Sequence, residues 1–122
     1  MDTELKLWTQ YPDLFWVATT ENGKVVGSTG SKHIDSTTTD MHKLCVDAEF
    51  QKLGIGQKLI ETLLESAREN GYSTITCYTS IANTVHDFQK VRETNVQFHH
   101  SSFTYLSGIK AIEYRFDIKN KI

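Results

Sequence analysis

A chain of 122 residues is long enough for one domain with one modest hydrophobic core. Its formal net charge of −2 argues against a general nucleic-acid binder, because such proteins are usually basic. No apolar run approaches the roughly 20 residues that a membrane-spanning helix needs, and no signal-peptide pattern begins the chain. We therefore expect one cytoplasmic domain over residues 1–122, with no membrane span and no nucleic-acid partner.

Cysteine and histidine usage gives no sign of a metal centre. Cys45 and Cys77 are too few for a disulfide framework or a zinc site, and both lie in apolar strand contexts. We expect both to be buried, reduced thiols. His99 and His100 are adjacent, but no cysteine or carboxylate cluster accompanies them, so no metal site is expected.

The first half of the chain has the pattern of a hairpin and a further strand. Strand-forming residues on both sides of Asn22-Gly23 predict a β-hairpin over Leu14–Ser28. The polar, threonine-rich stretch Ser31–Asp40 is interpreted as a loop, and Met41–Val46 as the next strand.

An amphipathic helix and a second strand follow. The segment Gly54–Asn70 has apolar residues at one-face spacing, and Gly71 is typical of the position just past a helix end. The apolar residues of that face are Leu59, Ile60, Leu63, Leu64 and Ala67. Thr74–Thr79 reads as a strand, and a strand–helix–strand order predicts that it runs parallel to Met41–Val46.

The C-terminal third predicts a helix and a hairpin. Asn83–Val91 is a weakly periodic helix candidate. Ala111–Ile118 alternates between apolar and polar residues, as a half-buried strand does, and Phe98–Leu106 is its expected hairpin partner across Ser107–Gly108. The predicted fold class is α/β, with a mixed and largely antiparallel sheet and one parallel pair.

The segment Gln51–Lys58 joins the third predicted strand to the helix. Gly54 and Gly56 let an anion approach the backbone, and the first turn of a helix has unpaired N–H groups at the positive end of its dipole. Lys52 and Lys58 add positive charge. Such a turn is suited to bind a diphosphate.

Three phosphate-binding patterns compete for this segment. A P-loop needs Gly-Lys-Ser/Thr, and a dinucleotide fingerprint needs a third glycine where Leu59 stands. The residues Gln51–Gly56 instead fit Gln/Arg-x-x-Gly-x-Gly/Ala at every position. With its flanking strand and helix, this segment resembles the pyrophosphate loop of the GNAT superfamily of acyl-CoA-dependent N-acyltransferases. Phe-Trp-Val-Ala, Gly-Lys-Val-Val-Gly and the stretch Leu44–Gly56 are similar to the camello-like subgroup.

The resemblance implies a GNAT-like fold that lacks or shortens the first strand and the first two helices, because residues 1–13 show no counterpart. It implies acetyl-CoA as co-substrate, no metal, and transfer of acetyl to a primary amine of a small molecule or peptide. A homodimer in which a second copy completes the sheet is possible. The implied cofactor-binding residues are Leu44, Cys45, Val46, Gln51, Lys52, Leu53, Gly54, Ile55, Gly56, Gln57, Lys58 and Asn83.

Asp40 and His42 are the candidate catalytic residues. They lie two apart at a strand entry and so share a face, where they are either proton acceptors or ordinary surface residues. Some superfamily members carry a carboxylate base at the position of Asp40, whereas His42 is the better intrinsic base near neutral pH. His33 is a weaker candidate on the predicted loop.

The general acid of the family is not matched. The family's tyrosine corresponds to Gln89, which does not titrate; Tyr78, Tyr105 and Tyr114 are possible substitutes, or simply sheet aromatics. Two other functions therefore stay open. One is a degenerate relative that binds acetyl-CoA without efficient catalysis. The other is a β-rich interaction module that uses exposed aromatic residues, for which the candidates are Trp8, Trp16 and Tyr105.

Overall fold

A computed structural model of the protein describes residues 3–9, 12–51, 53–78, 96–106 and 109–118. These residues form seven β-strands, one α-helix and a short 3₁₀ helix, Ala48–Phe50. The strands are β1 Thr3–Leu7, β2 Leu14–Thr20, β3 Val25–His33, β4 Thr38–Val46, β5 Thr74–Tyr78, β6 Val96–Leu106 and β7 Ile109–Ile118, and the helix is α1 Ile55–Glu69. The predicted helix Asn83–Val91 lies outside the described residues.

The strands form one sheet in the order β1-β2-β3-β4-β5-β7-β6. Neighbouring strands are antiparallel except for β4 and β5, which are parallel. Helix α1 connects these two strands in the sequence. The predicted N-terminal hairpin, the parallel pair and the C-terminal hairpin are thereby confirmed. None of the helices in the described part of the chain is both long and apolar enough to cross a membrane.

The structure adds one strand to the predicted N-terminal half and corrects one predicted loop. Residues 1–13 gave no strand signal, yet Thr3–Leu7 pairs with β2 along its whole length. Ser31–Asp40 was expected to be a loop, and that prediction is wrong. Its two ends extend β3 and β4, and the turn between them is held by Asp35, whose Oδ1 accepts from the backbone N–H groups of Thr37 and Thr38. The polar character of this threonine-rich stretch suggests a loop, but threonine is a β-branched residue that favours strands.

Helix α1 packs against one face of the sheet over β2, β3 and β4. Its apolar residues Leu59, Ile60 and Leu63 are fully buried. The close approach depends on Gly27, where a Cβ atom would lie 3.2 Å from Leu59 Cδ1 and 3.3 Å from Ile55 Cγ2. The opposite face of the sheet carries the polar side chains of alternate residues, including Asp40 and His42.

Strand β4 contains a β-bulge at Lys43. Ser28 pairs with Cys45 and Gly30 pairs with His42, so two steps along β3 match three steps along β4. Lys43 has a φ of 56°, which is rare for a residue other than glycine. Its carbonyl accepts a hydrogen bond from Ser28 Oγ at 3.1 Å.

The bulge reverses which residues of β4 face α1. Leu44 and Val46 pack against the core, and Cys45 turns to the opposite face, where it is exposed. The prediction that both cysteines are buried is therefore correct for Cys77 and wrong for Cys45. One inserted residue reverses the alternation of a strand, and the sequence pattern does not reveal it.

Candidate active site

The loop before α1 presents backbone N–H groups without intrahelical acceptors. Gly54 precedes the helix with a φ of 83°, and no side chain of the described residues caps this end. The amide of Lys58 donates to the Gly54 carbonyl at 3.0 Å, so the amides of Ile55, Gly56 and Gln57 precede the first intrahelical bond. The first turn also contains no acidic residue. These are the conditions under which a helix N-terminus binds an anion.

Gln51 fastens this loop to the end of β4. Its Nε2 donates to the Val46 carbonyl at 3.1 Å, and its backbone N–H donates to the Ala48 carbonyl at 3.4 Å. The side chain that opens the loop motif thus ties the start of the loop to the end of the strand.

An open cavity of about 330 Å³ lies against the first turn of α1. Leu53, Gly54, Ile55, Gln57 and Lys58 contribute to its wall. Leu53 is 62% exposed, and Lys58 is also exposed. Of the sequence-predicted loop residues, Lys52 lies outside the described residues, as does Asn83 further along the chain.

The parallel strands β4 and β5 pair over only part of their length. The pairing runs from Thr38 opposite Thr74 to Met41 opposite Cys77. Beyond Met41, β4 continues to Val46 with β3 on one side and, among the described residues, no strand on the other. The backbone of Leu44, Cys45 and Val46 therefore offers one open edge beside the loop, to which an extended ligand can add as a strand.

Asp40 and His42 lie on the sheet face opposite α1, next to the point where the two strands separate. Asp40 is half-buried, and its Oδ1 accepts a 2.7 Å hydrogen bond from Thr76 Oγ1 of β5. Two residues along a strand span roughly 7 Å, so an amine can lie between these two side chains.

The imidazole of His42 packs over the backbone of Gly30. A Cβ atom at Gly30 would lie 2.9 Å from His42 Nε2 and 3.1 Å from Phe15 Cδ2, so a larger residue here would make the imidazole shift. Burial lowers the pKa of His42 below its ordinary value of 6.5, and the cations of Lys43 and Lys32 lower it further, against a smaller opposing effect of Asp13. His42 is thus neutral and able to accept a proton at physiological pH.

Other candidate side chains lie elsewhere. His33, at the far end of β3 from the loop, has its Nδ1 2.6 Å from the hydroxyl of Tyr72, so it does not join Asp40 and His42. Tyr114 is half-buried against the core. Trp16 is only 5% exposed and cannot act as the surface aromatic proposed for an interaction module, whereas Trp8 is 66% exposed.

Three contacts of this site were missed at the level of sequence. Thr76 reaches Asp40, Ser28 reaches the bulge carbonyl of Lys43, and Thr29 Oγ1 donates to the His42 carbonyl at 3.4 Å. Each joins two strands, so each depends on a register that one sequence does not reveal. Nothing within β3 or β5 alone distinguishes these hydroxyl groups from ordinary strand residues.

Comparison with known proteins identifies the class to which this fold and site belong. The model of the acetyltransferase (GNAT) family matches residues 1–88. The chain therefore belongs to the GNAT acetyltransferase family, whose members carry out acetyl-CoA-dependent acetyl transfer. This confirms the family inferred from Gln51–Gly56.

Individual relatives agree with that assignment. N-acetyltransferase 8 of Homo sapiens is 33% identical over 95 residues, covering 57% of this chain and 41% of that protein. The probable N-acetyltransferase camello of Xenopus tropicalis is 27% identical over 114 residues, covering 87% and 51%. The chain spans about half the length of these curated relatives.

A solved structure confirms the acyl-CoA N-acyltransferase fold. An acetyltransferase of Bacillus subtilis in complex with CoA superimposes with a TM-score of 0.72 at 14% sequence identity. The superposition covers 98% of this chain and 100% of that chain.

Proposed function

We propose that this chain transfers an acetyl group from acetyl-CoA to a primary amine of a small molecule or peptide, by direct attack of the amine on the thioester. The observation that carries the proposal is the uncapped first turn of α1 beside the open edge of β4. The first turn of α1 suits a diphosphate, and the edge of β4 suits an extended arm that contains amide groups. CoA contains a diphosphate followed by such an arm.

The proposed cofactor contacts follow from backbone chemistry. The amides of Gly54, Ile55, Gly56 and Gln57 would hold the diphosphate, with Lys58 adding charge. The proposed cofactor-binding residues also include Gln51, Lys52, Leu53 and Asn83. The backbone of Leu44, Cys45 and Val46 would pair with the pantetheine arm. Bound acetyl-CoA would supply an acetyl group activated as a thioester.

The proposed chemistry assigns different tasks to the two candidate catalytic residues. An amine acceptor arrives as an ammonium ion and must lose a proton before it attacks. The Asp40 carboxylate would attract and orient the ammonium, and the neutral His42 imidazole would accept its proton. A backbone N–H near Cys45 or Val46 would donate to the carbonyl oxygen as negative charge develops on it.

The leaving thiolate has no assigned acid among the described residues. Because a thiol has an ordinary pKa of about 8.5, it is a tolerable leaving group, and a positioned acid typically contributes ~10²–10⁴-fold. Gln89 in place of the family's tyrosine supports the second candidate function, a domain that binds acetyl-CoA without efficient catalysis.

A thiol-release assay with acetyl-CoA over a panel of primary amines tests the proposal, using tyramine, spermidine and a lysyl peptide as probes. We expect turnover with at least one amine and a fall in kcat of about 10²-fold in His42→Gln, with unchanged acetyl-CoA affinity. His33→Gln is the matched control and should retain activity, because His33 contacts Tyr72 instead.

Two results would count against this scheme. Tight acetyl-CoA binding without turnover of any amine favours the non-catalytic alternative. Full activity in His42→Gln removes His42 from the mechanism.

A further inference from the structure

Thr76 connects β5 to the candidate site on β4. Its Oγ1 donates a 2.7 Å hydrogen bond to Asp40 Oδ1, and the residue is only 3% exposed. Hydrogen bonds to ionised carboxylates are shorter and roughly twice as strong as those between neutral groups. The contact is therefore strong enough to fix a side-chain orientation.

The hydrogen bond lies one residue before the two strands separate. Asp40 pairs with Thr76 in the parallel register, and Met41 with Cys77 is the last pair. The carboxylate thus lies at the base of the opening, beside the edge of β4 with which no described strand pairs.

Other charged and titratable groups surround this pair. Lys32 is opposite Asp40 on β3, and Arg115 is opposite Thr76 on β7. Cys77 follows Thr76 and is buried; burial, and then the charge of Asp40, raise the pKa of its thiol to about 12. It therefore stays neutral and does not compete for the acceptor's proton.

We propose that Thr76 is a positioning residue for acceptor recognition: its hydroxyl group holds the Asp40 carboxylate in the orientation that binds the ammonium form of the acceptor. This inference rests on the proposed acetyltransferase function. A carboxylate torsion has broad, shallow preferences, so the strong hydrogen bond from Thr76 favours one orientation of Asp40. Binding of the acceptor should depend on this donor, and binding of acetyl-CoA should not.

Steady-state kinetics of Thr76→Val with the best acceptor of the amine panel tests the inference. Valine keeps the shape and the strand preference of threonine but removes the donor. We expect KM for the amine to rise about tenfold, the scale of one hydrogen bond to a charged group, while KM for acetyl-CoA is unchanged. Thr76→Ser, which restores a hydroxyl group, should recover most of the loss.

Thr74→Val is the matched control. Thr74 lies two residues earlier on the same face of β5 and donates to Asp117 Oδ1 at 3.3 Å, so its loss removes a similar bond that does not involve Asp40. In an Asp40→Asn background, Thr76→Val should have no further effect on KM for the amine, because the carboxylate it positions is gone.

The outcomes separate this inference from the proposed function. No turnover by the wild-type chain overturns both. Wild-type turnover with unchanged amine KM in Thr76→Val overturns the positioning role alone. Equal losses in Thr74→Val and Thr76→Val, or no recovery in Thr76→Ser, also overturn it, because the effect is then structural.

Discussion

His42 has neighbours that oppose its protonation. It is half-buried over Gly30, and Lys43 and Lys32 place positive charge near its ring. Burial is the largest cause of its lowered pKa, and the two cations act in the same direction. The residue is therefore a neutral imidazole over a wider pH range than an exposed histidine.

Replacing Lys32 with glutamine should shift the acidic limb of the pH–rate profile to higher pH. If His42 is the base, kcat/KM falls as pH drops through its pKa, so the wild-type limb lies below pH 6.5. Removing a cation favours the imidazolium and raises that pKa, so the limb moves to higher pH.

Lys6→Gln is the control for this profile, because Lys6 lies on β1, two strands from β3, and is not among the causes of the His42 shift. A limb that stays in place in Lys32→Gln contradicts the assignment of His42 as the base.

At the scale of elements, the bulge in β4 decides which side chains face the candidate site. It turns Cys45 toward the exposed face and leaves Leu44 and Val46 against the core. The backbone of these three residues lies beyond Met41 and Cys77, which are the last described pair of β4 and β5. The bulge at Lys43 thus lies directly before the proposed binding edge, Leu44 to Val46.

The two cysteines should therefore differ in reactivity with iodoacetamide. Cys45 is exposed and should be alkylated in the native protein, whereas Cys77 should react only after unfolding because it is buried with a pKa of about 12. Acetyl-CoA should slow the reaction of Cys45. Mass spectrometry of the labelled peptides measures both; fast native labelling of Cys77 would contradict the described packing.

A second prediction at the scale of elements concerns the binding of acetyl-CoA at the first turn of α1. Gln57→Glu places a carboxylate where the diphosphate is proposed to bind, and we expect acetyl-CoA affinity to fall at least tenfold. The free energy of unfolding should change by less than about 0.5 kcal/mol, because attraction to the helix dipole offsets repulsion from Glu61 one turn later.

Gln57→Leu separates the charge from the loss of the amide side chain and should bind acetyl-CoA nearly as well as the wild type. Calorimetric titration gives the affinity, and urea unfolding gives the stability. Unchanged affinity in Gln57→Glu would place the cofactor away from this turn.

At the scale of the whole molecule, local patterns predicted most of the described elements. Apolar spacing located α1, the Asn22-Gly23 turn located the first hairpin, and alternation located β7. These signals succeed because each depends on residues that are close in sequence. The motif at Gln51–Gly56 is also a local pattern, and the family match confirms the family that it indicated.

The features that the sequence did not predict depend on contacts between strands. The Lys43 bulge and the Asp40–Thr76 bond follow from strand register and order. Strand β1 was missed because Thr3–Leu7 is short and has three exposed residues out of five. Its stability comes from pairing with β2 rather than from its own pattern.

Titration of the ¹⁵N-labelled protein with CoA, and in parallel with pantetheine, tests most directly whether the first turn of α1 binds the diphosphate. Pantetheine shares the arm of CoA but lacks the diphosphate. We expect the amide resonances of Ile55, Gly56 and Gln57 to shift with CoA and to stay in place with pantetheine. Unmoved resonances at millimolar CoA, or equal shifts with both ligands, would contradict the account.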